Sequence, residues 1–227
     1  MTSEAASPII LSARGLCLAR EGIQLLRDIS LDIKRGSITF VLGHNGAGKT
    51  LLLNALHGLI DIESGSIDGP PLPQQKMVFQ KPIITRRTTR QHFRFICRNL
   101  GPQEATDWIR RAGIEDRIDA PARALSGGEQ QKLALVGALA ARPTILFLDE
   151  PTAHLDLAAT KFVEGMICEA HEAGTTILMT SHNRAQAERL GQEVILLDGG
   201  SLVEAAPASR FFTEPEHPLA KQYLDHL

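Results

Sequence analysis

The feature that most constrains this chain is an eight-residue segment, Gly43-His44-Asn45-Gly46-Ala47-Gly48-Lys49-Thr50, which matches G-x-x-x-x-G-K-[ST]. A short apolar run, Ser37 to Leu42, precedes it, and Lys49 to Leu59 follows at helical spacing. A strand that feeds a glycine-rich turn and then a helix leaves few architectures open, because the helix must pack back on the sheet. Glycines let the backbone curl so that successive N–H groups point inward, and the helix adds its positive end. Such a cradle suits phosphate oxygens. Lys49 can reach the outer phosphates of a nucleotide, and the Thr50 hydroxyl can ligate Mg2+. Average residue frequencies put a chance match in a chain this long at roughly one in a hundred.

The remaining pattern agrees with an α/β fold. Ile9 to Ile33 alternates apolar and polar residues around the turn signals Arg14-Gly15 and Glu21-Gly22, which predicts antiparallel strands. Gly65 to Gln80 reads as turns with a strand near Met77–Phe79. Thr88 to Ala141 changes to helical spacing, broken at Gly101-Pro102 and Pro121. Strands are then expected at Thr144–Leu148, Thr175–Thr180 and Glu193–Leu197, with helices at Leu157–Ala173 and from about Asn183. Strands alternating with helices imply a parallel sheet covered on both faces. The expected organisation is a disordered stretch at 1–8 and one domain over 9–227. Its core and β-subdomain occupy about 9–80 and 141–205, a helical insertion 81–140, and a short helical tail 207–227. Trp108 is expected in the core.

Composition excludes several classes. A formal net charge of −2 gives no general attraction to nucleic acid or anionic lipid. Cys17, Cys97 and Cys168 are odd in number and far apart, which fits neither a disulfide framework nor a clustered zinc site and points to a reducing cytosol. The longest apolar run, Leu133 to Ala141, is far short of the about 20 residues that cross a bilayer. The segment MTSEAASPII lacks the basic and apolar regions of a secretory signal. Action at a membrane is therefore expected to require docking.

Three further segments carry chemistry. Ile145 to Leu148 is an apolar run ending in Asp149-Glu150. At the carboxyl edge of a parallel sheet, Asp149 can hold Mg2+ and Glu150 can polarise an attacking water; alternatively both are surface acids at a strand end. Ser126 and Glu129 form a capping box that opens a helix, but a cap does not account for Gly127-Gly128 in the costly first turn, whereas close approach to an anion does. His182 ends an apolar strand and is either a polar terminus or a catalytic group. Lys81 to Arg98 carries six basic residues and no acid, read as a solvated face, a groove for a partner's helix, or a nucleic-acid surface.

Taken together, GHNGAGKT, LSGGEQ (Leu125 to Gln130), ILFLDEP, AHLD (Ala153 to Asp156) and Ser181-His182 resemble the ATP-binding cassettes of ABC ATPases in order and spacing. The resemblance covers about residues 9–205 and implies a P-loop NTPase (RecA-like) core with an antiparallel β-subdomain and an inserted α-helical subdomain. It further implies ATP and Mg2+ as ligands, and a head-to-tail homodimer enclosing two ATPs. Gly43, His44, Asn45, Gly46, Ala47, Gly48, Lys49, Thr50 and Leu51 would bind ATP. Ser126, Gly127, Gly128 and Asp156 would meet the nucleotide across the dimer. Thr50, Gln80 and Asp149 would serve the metal, and Glu150, His182 and Gln80 catalysis. Two departures stand out. Arg20 occupies the place of the family's adenine-stacking aromatic, either stacked on the base or solvated, and Leu51 replaces a second hydroxyl residue. The resemblance implies integral membrane permease subunits as partners, a solute-binding protein indirectly, no nucleic acid, and a place on the cytoplasmic face of the membrane. Segments such as Met77-Val78-Phe79-Gln80-Lys81-Pro82 are similar to cassettes of tungstate-type oxyanion importers, with phosphate and polar amino-acid importers, an exporter, or a non-transport ATPase as alternatives.

Overall fold

Alternation near the N-terminus does produce a long hairpin. In the computed structural model, which describes residues 8–225, strand β1 (Ile9–Arg20) pairs antiparallel with β2 (Ile23–Lys34) through a turn in which Glu21 and Gly22 both take positive φ. Residues 1–7 lie outside the description, and with them most of the stretch expected to be disordered; the Pro8 carbonyl accepts from the Arg35 N–H at 2.7 Å. β3 (Ile38–Leu42) is buried at all five positions and leads through the glycine loop into α1 (Lys49–His57). That helix stops short of the expected Leu59 because Gly58 turns left-handed and its N–H closes on the Ala55 carbonyl. β4 (Ser64–Asp68) adds to the far side of β1, where turns were expected, giving a sheet ordered β2-β1-β4.

β5 (Gln75–Val78) starts earlier than the sequence suggested and joins a different, six-stranded sheet. Between it and β6 (Ile145–Leu148) come α2 (Thr89–Ile96), α3 (Pro102–Arg111) and α4 (Gly127–Ala140). The chain then runs through α5 (Leu157–Glu172), β7 (Thr176–Thr180), α6 (Arg184–Leu190), β8 (Glu193–Asp198) and β9 (Ser201–Pro207), and ends in α7 (Ala208–Thr213) and α8 (Pro218–Asp225). The sheet order is β5-β6-β7-β3-β8-β9, parallel except for β9.

Strand alternation divides the core into two layers. Phe40, Leu42, Leu146, Leu148, Ile177 and Met179 face one layer, shared with α4 and α5; Val41, Ile145, Phe147 and Leu178 face the other, shared with α1 and the β1–β2 hairpin. Trp108 is half-buried rather than central. Its neighbour Ile109 takes the core position, while the Arg111 guanidinium lies 5.0 Å from the indole.

Candidate functional site

Strand register decides which residues meet. Val78 pairs with Leu148, Leu148 with Met179, Val41 with Thr180, and Leu42 with Leu196. Parallel strands in this register end together, so Gly43, Gln80, Asp149, Glu150 and His182 all leave the sheet at one carboxyl edge. Backbone pairing therefore brings the expected cluster to one edge.

The glycine loop is curled tightly. Gly43 has φ 145° and packs so close to Leu197 that a Cβ would lie 2.3 Å from its carbonyl oxygen; Gly48 has φ 100° against Leu26. Side chains are excluded at both places. Lys49, 6% exposed, turns its ammonium back into the loop, donating to the carbonyls of Gly43 (2.8 Å) and His44 (3.0 Å). Burial pushes its pKa below the usual lysine range, while the charges of Glu150 and Asp149 pull it upward. His44, Asn45 and Gly46 are exposed at the loop tip, Ala47 is buried, and Leu51 is half-buried against the β1–β2 layer.

Two carboxylates are held next to this loop. Asp149, 5% exposed, accepts on Oδ1 from the hydroxyls of Thr50 (3.0 Å) and Thr180 (2.9 Å). The same Thr180 oxygen accepts from the Glu150 N–H at 2.8 Å, so one buried hydroxyl positions both acids. Glu150 takes φ 46°, a left-handed conformation that costs a non-glycine residue on the order of 1 kcal/mol. Its side chain turns out of the sheet edge, where Gln80 Nε2 donates to Oε2 (3.0 Å) and His182 Nε2 lies 2.5 Å from Oε1. Gln80 and His182 thus converge on the carboxylate. Thr180 escaped the sequence reading, since a threonine at a strand end has no distinguishing pattern.

The helix opened by Leu125-Ser126-Gly127-Gly128 lies elsewhere on the surface. Its capping box forms, with Glu129 N–H on Ser126 Oγ (3.3 Å) and Ser126 N–H on Glu129 Oε2 (2.7 Å), and this Ser126 N–H bond to the carboxylate holds Glu129 below the usual glutamate range. Ser126 and Gly127 are exposed, and nothing lies within 4 Å of a Cβ placed on Gly127. Gly128 backs onto Ala159 and Leu155 at ordinary contact distance. Asp156, exposed, caps α5 by accepting from the Ala159 N–H at 2.7 Å. A cleft of about 390 Å³ lies between Gln80, Gly127 and His154. Arg20 is exposed at the end of β1, facing Ile23 across the turn.

The basic run is partly accounted for by internal contacts. Arg90 pairs with Asp119 (3.1 Å), and the guanidinium groups of Arg87 and Arg98 lie 4.3 Å and 5.1 Å from the Phe95 ring centre. Arg87, Arg94 and Arg98 remain along one open groove with Phe95.

Comparison with known proteins agrees with this geometry. Residues 26–153 match the family model described as ABC transporter. A phosphate import ATP-binding protein, PstB, from Pyrobaculum aerophilum is 32% identical over 94% of this chain and 97% of its own length. A methionine import ATP-binding protein, MetN, from Bradyrhizobium diazoefficiens is 30% identical over 90% of this chain and 66% of its own length. Among solved structures, a dimeric ATP-binding cassette in a post-hydrolysis state, bound to ADP and Pi, superposes with a TM-score of 0.78 at 23% identity, covering 88% of this chain and 99% of that one. The chain belongs to the ABC transporter family. It is an ABC-type ATPase with the α/β cassette fold, an antiparallel β-subdomain and a mixed, mainly parallel sheet.

Proposed function

We propose that this chain is the energy-supplying subunit of an importer for a small solute, working as a homodimer against separate permease subunits. One observation carries the reading: Lys49, Thr50, Asp149, Glu150, Gln80 and His182 share one sheet edge, while Ser126-Gly127 stands exposed and unobstructed for a second copy.

In this reading the triphosphate takes the Lys49 ammonium from the Gly43 and His44 carbonyls and lies along the loop from Gly43 to Leu51. The Thr50 hydroxyl beside the Asp149 carboxylate is a hard-oxygen pair that fits Mg2+, with phosphate and water completing the shell. Bound there, and adjoined by Gln80, Mg2+ would neutralise charge on the outer phosphates. Glu150 accepts a proton from the water that attacks the terminal phosphorus as the bond to the bridging oxygen breaks, releasing ADP and phosphate. Gln80 and His182 aim that carboxylate, and His182 also reaches the terminal phosphate. Ser126, Gly127 and Gly128 of the second copy close over the same phosphate, with Asp156 at the seam; the open backbone at Gly127 allows that approach. Arg20 is assigned to the base, its guanidinium lying flat on the ring.

Among the described residues no helix is long and apolar enough to cross a membrane. On its membership of the ABC transporter family we assign the chain to the cytoplasmic face of the membrane, docked on permease subunits through the Arg87–Phe95–Arg98 groove. A solute-binding protein would act only through those subunits, and no nucleic acid is required. An oxyanion such as tungstate or molybdate is our best assignment for the solute, on the likeness of Met77 to Pro82 and on the phosphate-importing relative. The test is reconstitution with the membrane subunits and candidate binding proteins. Stimulation of ATP hydrolysis by tungstate or molybdate supports the assignment; stimulation by methionine or phosphate alone reassigns the solute, and stable salt-sensitive nucleic-acid binding without a membrane partner overturns the transport reading.

A further inference from the structure

We propose that Tyr223, on the last helix, is a positioning residue for nucleotide binding: its phenol holds Gly43, the residue whose carbonyl receives Lys49. Where β3 leaves the sheet, the Gly43 N–H is buried and beyond its strand partners; it donates to the Tyr223 hydroxyl oxygen at 3.2 Å. The same residue's carbonyl accepts from Lys49 Nζ at 2.8 Å. These two groups flank one Cα, so the Tyr223 bond anchors one of the two peptide planes that meet there and the Lys49 bond the other. The Tyr223 ring additionally meets the His44 imidazole edge-on, with centres 5.1 Å apart.

The helix carrying Tyr223 is firmly attached. Buried Glu204 accepts from the Glu216 N–H (3.1 Å) and the His217 N–H (2.9 Å), which turns the chain into α8. Ala220 and Tyr223 are 0% and 4% exposed. The Leu224 carbonyl accepts from Arg184 Nη1 at 3.0 Å, and Arg184 opens the helix that follows His182. The tail therefore touches the site at two places, the first residue of the phosphate loop and the segment after His182.

The inference rests on the phosphate role proposed for Lys49. Its test is Tyr223→Phe, which removes one hydroxyl and keeps the ring on His44. Losing a single neutral hydrogen bond should weaken ATP affinity about fivefold. KM should rise by the same factor with kcat nearly unchanged, while the thermal midpoint falls because the buried Gly43 N–H loses its partner. A residue with a structural role alone would lower the midpoint and leave KM where it was. Arg184→Gln loosens α8 without altering Tyr223 and should raise KM in the same direction, which keeps the idea testable should the phenylalanine variant fold poorly. Lys49→Ala is measured in parallel. If Lys49→Ala abolishes ATP binding while neither tail variant shifts KM, the proposal for Tyr223 fails alone; if Lys49→Ala leaves binding intact, the phosphate reading beneath it fails.

Discussion

Thr180→Val isolates the one hydroxyl on which both acids of the site depend. Thr180 is 0% exposed, donates to Asp149 Oδ1 at 2.9 Å and accepts from the Glu150 N–H at 2.8 Å. Valine fills the same space but can do neither. A hydrogen bond to a charged group contributes about 1.5–3 kcal/mol, and stranding a buried N–H costs about 1–3 kcal/mol. Asp149 keeps the Thr50 hydroxyl at 3.0 Å, which places its share at the low end, and the added methyl returns up to about 0.8 kcal/mol. The net loss should be about 3 kcal/mol, or about 6–12 °C in the midpoint for a chain of this size. The assay is thermal and urea unfolding without nucleotide, with Thr180→Ser as the control. Serine keeps the hydroxyl and loses only a buried methyl, at about 1 kcal/mol. The valine variant should be the less stable of the two and should lose ATP hydrolysis by on the order of tenfold or more, because Glu150 is no longer held in its left-handed turn. A valine variant as stable as the serine one would refute the reasoning.

Other outcomes follow from the same geometry. Glu150→Gln should keep ATP affinity within about threefold yet lower turnover by at least on the order of a hundredfold, measured by nucleotide titration beside phosphate release; ordinary turnover would remove Glu150 as the base. Lys49→Ala should lose most triphosphate affinity, on the order of a hundredfold by equilibrium titration, and unchanged binding would contradict its role. Burial, aided by the charges of Lys76 and Arg87 respectively, lowers the pKa values of His57 and His92. Folding therefore favours the neutral form of both, and the stability they contribute is full above about pH 6.5 and is lost as pH falls below it. The urea midpoint should drop between about pH 7.5 and about pH 5.5, and a His57→Gln, His92→Gln variant should show a shallower drop.

Much of this site was legible because its residue types are dictated by backbone demands. Gly43 and Gly48 must curl where a Cβ would collide, and Asp149-Glu150 must follow a fully apolar strand, so both leave plain marks in the sequence. The pairing of strand ends was less visible. β4, Ser64–Asp68, is polar and glycine-containing; it forms because β1 offers it an unpaired edge, a tertiary cause that local propensity does not record. β9 likewise depends on β8 as a template. Trp108 was misplaced by one position because α3 turns Ile109 inward and leaves the indole at the rim. Thr180 and Tyr223 were invisible because each matters through bonds to residues distant in sequence, two for Thr180 and one for Tyr223, and no spacing rule connects Tyr223 to Gly43.

Two copies should close on ATP, with Lys49 of one facing Ser126-Gly127 of the other. Sedimentation velocity of Glu150→Gln with Mg-ATP tests it most directly, beside the same variant carrying Ser126→Arg, whose bulk would stand on the exposed helix start without touching its own nucleotide loop. A dimer is expected with ATP, a monomer with ADP, and a monomer in both nucleotides once Ser126→Arg is present, with ATP still bound. Dimers that form equally well with Ser126→Arg, or without any nucleotide, would contradict it.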